Sequence, residues 1–291
     1  MNPSGRRVRW ALLAAPVLVL TLLFVVPVLL MVITSFRPDL RGGPFSLEWD
    51  PTLAHYRNVL TSPDYLALLW TSVQISLLVS ALTCAFAYPV AYYLAFRQGR
   101  FTSLLLTLLI IPFWTSYLLR IIAWKIILGS NGALNSFLGF VGLADSPSPV
   151  LLYSRSAVVT TLVYVWLPFV ALPIYAALLR IDRSLLEAAF DLGASRLQSF
   201  LKVTLPLSFP GVLAAFVMVF IPTVGEYVAP ILVGGTRGTL FGNIIEILFG
   251  DGINWPLGSA MALLMLAGVL ALVLLIARVL RVRRLIEAVD R

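Results

Sequence analysis

Six apolar runs separated by short polar intervals set the layout of the chain, at about residues 10–36, 64–96, 101–128, 156–179, 208–233 and 256–280. Each has the roughly 20 residues that an α-helix needs to cross about 30 Å of hydrocarbon. The first run is too long for the apolar region of a signal peptide and lacks a small-residue cleavage site, so it reads as a retained span. The second exceeds what a crossing requires, which predicts tilt or a start at the interface. The fourth is expected to kink at Pro168 and Pro173, and the fifth to break at Pro222 and Gly225. Loops outside the bilayer are expected over 37–63, 129–155 and 234–255, with short surface helices around 134–138 and 241–249.

One polar interval has a different character. Between Arg180 and Pro206 lie two capping-box patterns, Ser184 with Glu187 and Ser195 with Gln198. In such a box the serine holds a free N–H at the helix start and the longer side chain reaches back to the cap. The interval therefore predicts two short helices. Gly193 is placed to end the first in a left-handed turn, and Pro206 to stop the second before the next span.

Composition agrees with the pattern. Of 291 residues 60% are hydrophobic and 12% charged, and the mean hydropathy is +0.97. This is the composition of an all-α integral membrane protein. The net charge of +8 does not indicate a nucleic-acid partner, because the cations sit in short clusters beside apolar runs. Fourteen of the 21 Lys and Arg fall on the side of the N-terminus, five fall on the other, and Arg120 and Lys125 lie within the third run. The positive-inside rule then places residues 1–9, both termini and the polar helix pair in the cytoplasm.

Enzyme chemistry finds little support. The single cysteine, Cys84, lies inside a span and reads as a packing residue, and the single histidine, His55, has no second histidine to form a metal or catalytic group. No G-x-x-x-x-G-K-[ST], H-E-x-x-H or G-x-S-x-G motif occurs. No catalytic residue and no metal ligand is assigned, and if ATP drives this chain a partner supplies the ATPase.

Three readings exist for the helix pair. Leu185, Leu186, Ala189, Leu197, Phe200 and Leu201 give it an apolar side that would lie on lipid headgroups, although Asp182, Glu187 and Asp191 suit an anionic leaflet poorly. A DNA-binding helix-turn-helix fails on the tether between spans and the nearly balanced charge. The third reading is a small, Ala-rich protrusion that docks in the groove of a soluble partner.

The spacing of Glu187-Ala188-Ala189, Gly193, Val203, Leu205 and Pro206 resembles the EAA motif of binding-protein-dependent ABC importer permeases, with Val203 where isoleucine is usual. Over residues 60–280, Ile111-Pro112-Phe113-Trp114-Thr115-Ser116, Arg120 with Ala123-Trp124, Gly132-Ala133-Leu134-Asn135, Gly225-Glu226-Tyr227-Val228-Ala229-Pro230 and Asn254-Trp255-Pro256-Leu257-Gly258 resemble the spermidine/putrescine-type permeases. Lys125 departs from what a path for polycations would carry. The resemblance implies the type I importer fold with six transmembrane helices, both termini cytoplasmic, and a two-helix coupling segment over 180–206. It implies Glu187, Ala188, Ala189, Gly193, Leu205 and Pro206 as ATPase-coupling residues. The partners it implies are a second homologous permease, two ATPase subunits that use ATP and magnesium, an extracytoplasmic solute-binding protein, and the lipid of a bacterial inner membrane.

Ionisable groups at depth usually face a cavity or a partner. Glu226, beside Tyr227 at the break in the fifth run, is placed either to meet a substrate ammonium group or to pair with Arg120. Trp114, Tyr117, Tyr164 and Trp166 offer either cation–π faces or ordinary interface packing. Glu226, Tyr227, Trp114, Tyr117 and Arg120 form the expected substrate pathway. The reading is an ATP-driven importer permease for a polyamine. Its rivals are a permease of the same family for another small solute, such as an amino acid derivative or organic cation, an ion-coupled secondary transporter, and a membrane scaffold.

Overall fold

The computed structural model describes residues 14, 16–38, 50–97, 99, 101–142, 151–250, 252 and 254–289, with side chains as far as Ile276 and Arg278. The expected cytoplasmic segment 1–9, the basic turn residues Gln98 and Arg100, and the side chains of the basic tail lie outside the described residues. The described residues form helices joined by turns and short extended links, with no strand among them, and six helices are long and apolar enough to cross a membrane.

The chain divides into two compact units, residues 1–66 with 244–291, and residues 67–243. In the first unit, α1 (Pro16–Ser35) contains a π turn at Thr21–Val25. The short α2 (Ala54–Thr61) follows, and both pack against the last helix (Trp255–Val289). The junction is held by Ser35 Oγ and Tyr56 Oη, 2.7 Å apart, and His55 Nε2 lies 2.9 Å from the Arg37 carbonyl oxygen. Asn254 opens the last helix, its Oδ1 accepting the Leu257 N–H at 3.3 Å. That helix continues past the expected end at 280, because the basic tail carries no glycine or proline to stop it.

The second unit is built on α3 (Pro63–Phe96) and α7 (Arg155–Leu178). Ser76, Ser80 and Thr83 are fully buried in α3, and each hydroxyl donates to the carbonyl one turn back at 2.6–2.7 Å. Small hydroxyl residues satisfied within their own helix let neighbouring helices approach closely in lipid. The α7 helix runs unbroken through Pro168 and Pro173 and packs against α10 (Leu205–Val224).

Three expected boundaries are corrected. The run 101–128 is not one span. It forms α4 (Thr102–Ile110) and a 3₁₀ turn (Ile111–Trp114), then breaks at extended Thr115 and Ser116, and α5 (Tyr117–Leu128) begins. Pro112 lacks the N–H that would bond the preceding turn, so the α ladder fails there. The stretch long and apolar enough to cross is instead Tyr117–Phe140, in which α5 is followed, after a turn at residues 129–132, by α6 (Ala133–Phe140) at the place of the expected short helix.

The fifth span does not break at Pro222. The α10 helix passes through it and ends at Val224, and the chain leaves helical geometry only at Gly225. Pro206 does not stop a helix either. The stretch Arg196–Val224 is continuous, because a π turn at Phe200–Thr204 widens the ladder just ahead of the proline.

Candidate functional site

The interruption after α10 brings together most of the chemistry inside the second unit. Gly225 closes the helix, and a π turn at Pro230–Gly234 follows two residues of α-helix. Glu226, only 9% exposed, points its carboxylate back over this restart. Its Oε1 accepts the N–H groups of Val228 and Ala229 at 2.8 and 3.1 Å, the role an N-cap plays for the free donors of a helix start. Its Oε2 accepts the Tyr117 hydroxyl at 2.6 Å. Three donors therefore hold one buried charge, as burial of a carboxylate demands.

Arg120, also 9% exposed, is not the partner of Glu226. Of the two placements open to Glu226, the pairing with Arg120 is not made. Arg120 donates from Nη1 to the Val165 carbonyl at 3.2 Å, its guanidinium lies 6.0 Å from the Tyr117 ring centroid, and its Nε has no hydrogen-bond partner. Tyr117 thus neighbours both groups, its hydroxyl on the anion and its ring near the cation. Arg120 also lines a cavity of about 350 Å³ with Thr115, Ala123, Trp124 and Tyr164.

The remaining pathway candidates separate. Tyr227 is exposed beside the buried Glu226, and its carbonyl accepts the Asn243 amide at 2.9 Å. Trp114 is 83% exposed, in the turn before the break. Trp124 meets Tyr164 edge-on at 5.5 Å, and Trp166 meets Phe169 at 5.3 Å. Lys125 is half-buried on α5.

Helix α11 (Phe241–Phe249) was expected on the surface, yet its first turn is buried. Asn243 caps it by accepting the Leu240 N–H at 2.9 Å, and the Phe241 N–H donates to Ser72 Oγ on α3 at 2.8 Å. A Cβ on Gly242 would stand 2.7 Å from the Gly225 carbonyl oxygen and 2.8 Å from that of Glu226. Only glycine allows the start of α11 to press on the Glu226 turn.

The polar helix pair is the second candidate. Helix α8 (Arg183–Asp191) is capped by Asp182, whose Oδ1 accepts the Ser184 N–H at 3.0 Å. The expected Ser184–Glu187 box is therefore corrected: an aspartate two residues earlier is the cap, and Ser184 lies inside the first turn. That backbone N–H, with the Ser184 hydroxyl, holds the Asp182 carboxyl below the ordinary carboxylate range. At the other end Gly193 has φ +82°, with the Gly193 N–H donating to the Phe190 carbonyl at 2.9 Å and the Ala194 N–H to the Ala189 carbonyl at 3.0 Å. This is a Schellman ending. The expected box at Ser195 forms on α9 (Arg196–Ser199), with both reciprocal bonds in place. Glu187, Ala188 and Gly193 are exposed, Ala189 is partly so, and Leu192 is 88% exposed. Leu205 and Pro206 lie in the first turn of α10, away from that tip.

Residues 87–288 match the family described as "Binding-protein-dependent transport system inner membrane component". The chain belongs to this family. The spermidine/putrescine transport system permease protein PotB of Escherichia coli (strain K12) is 38% identical over 241 residues, covering 83% of this chain and 86% of that one. The inner membrane ABC transporter permease protein YdcU of the same organism is 33% identical over 223 residues, covering 73% and 71%. Among solved structures, a bacterial ABC transporter involved in the import of the acidic polysaccharide alginate superposes with TM-score 0.73 over 94% of this chain and 96% of that one, at 18% identity. That likeness concerns the fold, which is the type I importer arrangement.

The chain is thus a multi-pass permease subunit of the bacterial inner membrane, not an enzyme, and the secondary-transporter and scaffold readings are set aside. Two features of this permease escaped sequence reasoning. One is the support of the Glu226 turn by Asn243 and Ser72, signalled only by polar residues in apolar runs. The other is an aromatic contact between α3 and Phe200. Phe200 was grouped with the apolar side of the helix pair, but its ring lies between Tyr88 and Tyr92. A groove of about 610 Å³ also opens beside the helix pair, lined in part by Pro173, Ala177, Arg180, Asp182 and Leu185.

Proposed function

We propose that this permease passes a polyamine, spermidine or putrescine, from an extracytoplasmic binding protein into the cytoplasm. It works in a complex with a second permease and two ATPase subunits. The observation that carries the substrate is the 38% identity over 83% of the chain to a permease named for spermidine and putrescine. ATP and magnesium belong to the ATPase subunits. Their closure on ATP drives the polar helix pair, which lies in the cytoplasm, and the spans rock from inward- to outward-facing. Hydrolysis resets them. Glu187, Ala188, Ala189 and Gly193 form the docking tip, where the small Ala188, Ala189 and Gly193 admit a partner's groove close to the backbone. Leu205 and Pro206 begin the helix that leaves it.

Within the membrane, Glu226 supplies the negative charge that an ammonium group needs at mid-path. The Tyr117 hydroxyl occupies its Oε2 when no substrate is present, and an incoming ammonium takes that place while Oε1 stays on the backbone. Two cations, Arg120 and Lys125, favour the second reading, a permease of this family for another small solute.

Uptake by the purified complex in proteoliposomes tests both. ATP-dependent accumulation of labelled spermidine is the expected result. Accumulation that persists with a hydrolysis-dead ATPase overturns the ABC reading, and ATP-driven uptake of other solutes but not polyamines selects the second reading. A ligand screen on the partner binding protein gives an independent answer.

A further inference from the structure

Motion at the docking tip must reach the Glu226 turn, and the two helices joined directly to the tip are both soft levers. The first, α7, packs against Pro230–Gly234 after that turn but carries Pro168 and Pro173 inside. The second is α10. It is entered through a π turn, has Pro206 in its first turn, and carries Pro210 and Pro222 inside. Each proline removes a backbone donor and a ladder bond. The indirect route is α3, which between Ser72 and Tyr88 contains no proline, the one inside that helix being Pro89. At roughly 1.5 Å per residue this proline-free length is about 24 Å.

Both ends of that length are tied. At one end Ser72 Oγ accepts the Phe241 N–H at 2.8 Å, next to Gly242, which abuts the Glu226 turn. At the other end Phe200, the first residue of the π turn, stands edge-on to Tyr88 and, one turn further on past Pro89, to Tyr92. Its ring centroid is 5.7 Å from Tyr88 at 83° and 5.8 Å from Tyr92 at 80°. Tyr92 also meets Phe96, tilted at 46° with the ring centroids 4.7 Å apart. Edge-to-face aromatic pairs hold a defined angle as well as area. Tyr88 Oη and Ser208 Oγ lie 2.8 Å apart. Because the Ser208 hydroxyl donates to the Thr204 carbonyl at 2.8 Å, its single proton is committed and Tyr88 is the donor. The same tyrosine therefore grips both sides of the π turn.

We propose that Phe200 is a positioning residue for transport: seated between Tyr88 and Tyr92, it delivers movement of the helix pair to α3, and α3 carries it to the Glu226 turn. The inference rests on the ATP-driven reading above. It assigns to Phe200 neither substrate contact nor ATPase contact.

The test uses the whole complex in proteoliposomes with loaded binding protein, measuring ATP hydrolysis and spermidine uptake together. Phe200→Ala is expected to copurify with the ATPase and to hydrolyse ATP at close to the normal rate. Uptake falls about tenfold, so that ATP consumed per spermidine rises by the same factor, within the range a single residue on a coupling path carries. Phe200→Tyr, which keeps the ring, restores the ratio. Tyr92→Leu raises it, and adding Tyr92→Leu to Phe200→Ala raises it no further.

A normal ratio in Phe200→Ala overturns the proposal, and so does loss of the ATPase from the purified complex, which would make Phe200 a docking residue. If Phe200→Ala fails to insert, the ratio in Tyr92→Leu decides in its place, and a normal value there overturns the proposal. Failure of the wild-type complex to take up spermidine with ATP overturns the functional reading itself and is seen before any variant is made.

Discussion

At Glu226 one side chain has two duties, and its two oxygens separate them. Oε1 caps the helix restart and Oε2 meets Tyr117. Glu226→Gln keeps an oxygen for the two backbone donors and removes the charge, so polyamine uptake should fall severalfold with little change in melting temperature. Glu226→Ala leaves those donors and the phenol unpaired, a loss of roughly 1–3 kcal/mol, and should lower both. Unchanged uptake in the glutamine variant would take the charge out of the pathway. Asp182 makes a comparable cap in water, and its carboxyl is held below the ordinary range by the Ser184 N–H. A lowered native pKa means that the cap is fully present above the ordinary carboxylate value and is lost as pH falls through the lowered one. The hydrogen-exchange protection factor of the Ser184 amide should therefore be flat from neutral pH to about 5 and decline below about 4. Asp182→Asn should remove that dependence, and protection that falls between pH 8 and 6 would contradict the assignment.

Helix ends that depend on local sequence were mostly legible, the Asp182 cap taken for a Ser184 box being the exception, and those that depend on the surroundings were not. Gly193 and the Ser195–Gln198 box are read correctly because each is settled within six residues. Pro206 and Pro222 mislead, since a π turn or a neighbouring helix accommodates a proline whose sequence signature is unchanged. The break at Thr115–Ser116 hides in a run that is apolar on both sides of it. Of the candidate site, the intramembrane charges of Glu226 and Arg120 are legible from cost alone. Which donors hold Glu226 is not, because Tyr117 lies 109 positions away. The same contrast divides two glycines. Gly193 has nothing within 4 Å of a built Cβ, so Gly193→Ala meets only the left-handed backbone penalty of roughly 1–2 kcal/mol. Gly193→Trp should also weaken copurification of the ATPase while membrane insertion persists; normal copurification and uptake would remove the tip from docking. At Gly242 even an alanine meets two carbonyl oxygens, and overpacking of this kind costs roughly 1–3 kcal/mol. Gly242→Ala should then lower both melting temperature and uptake, with ATPase association intact.

At the scale of the whole chain, sidedness is the property that the charge count bears on most directly and that a labelling experiment decides. The span Arg196–Val224 is 29 residues long, about 43 Å of helix at roughly 1.5 Å per residue, enough to cross the hydrocarbon from its first turns onward. Leu192 precedes it, and Thr236 follows the Glu226 turn; both are exposed. The lone native thiol, Cys84, is buried, so single cysteines placed at these two positions report without background. A membrane-impermeant maleimide should reach Leu192→Cys in inside-out vesicles alone and Thr236→Cys in right-side-out vesicles alone. The opposite pattern would invert the orientation drawn from the 14 and five cations on the two sides. Labelling of both from one side would mean that the chain turns back at Gly225 instead of crossing. The docking tip and the Thr236 turn would then share a face, and a partner moving the tip could not alternate access around Glu226.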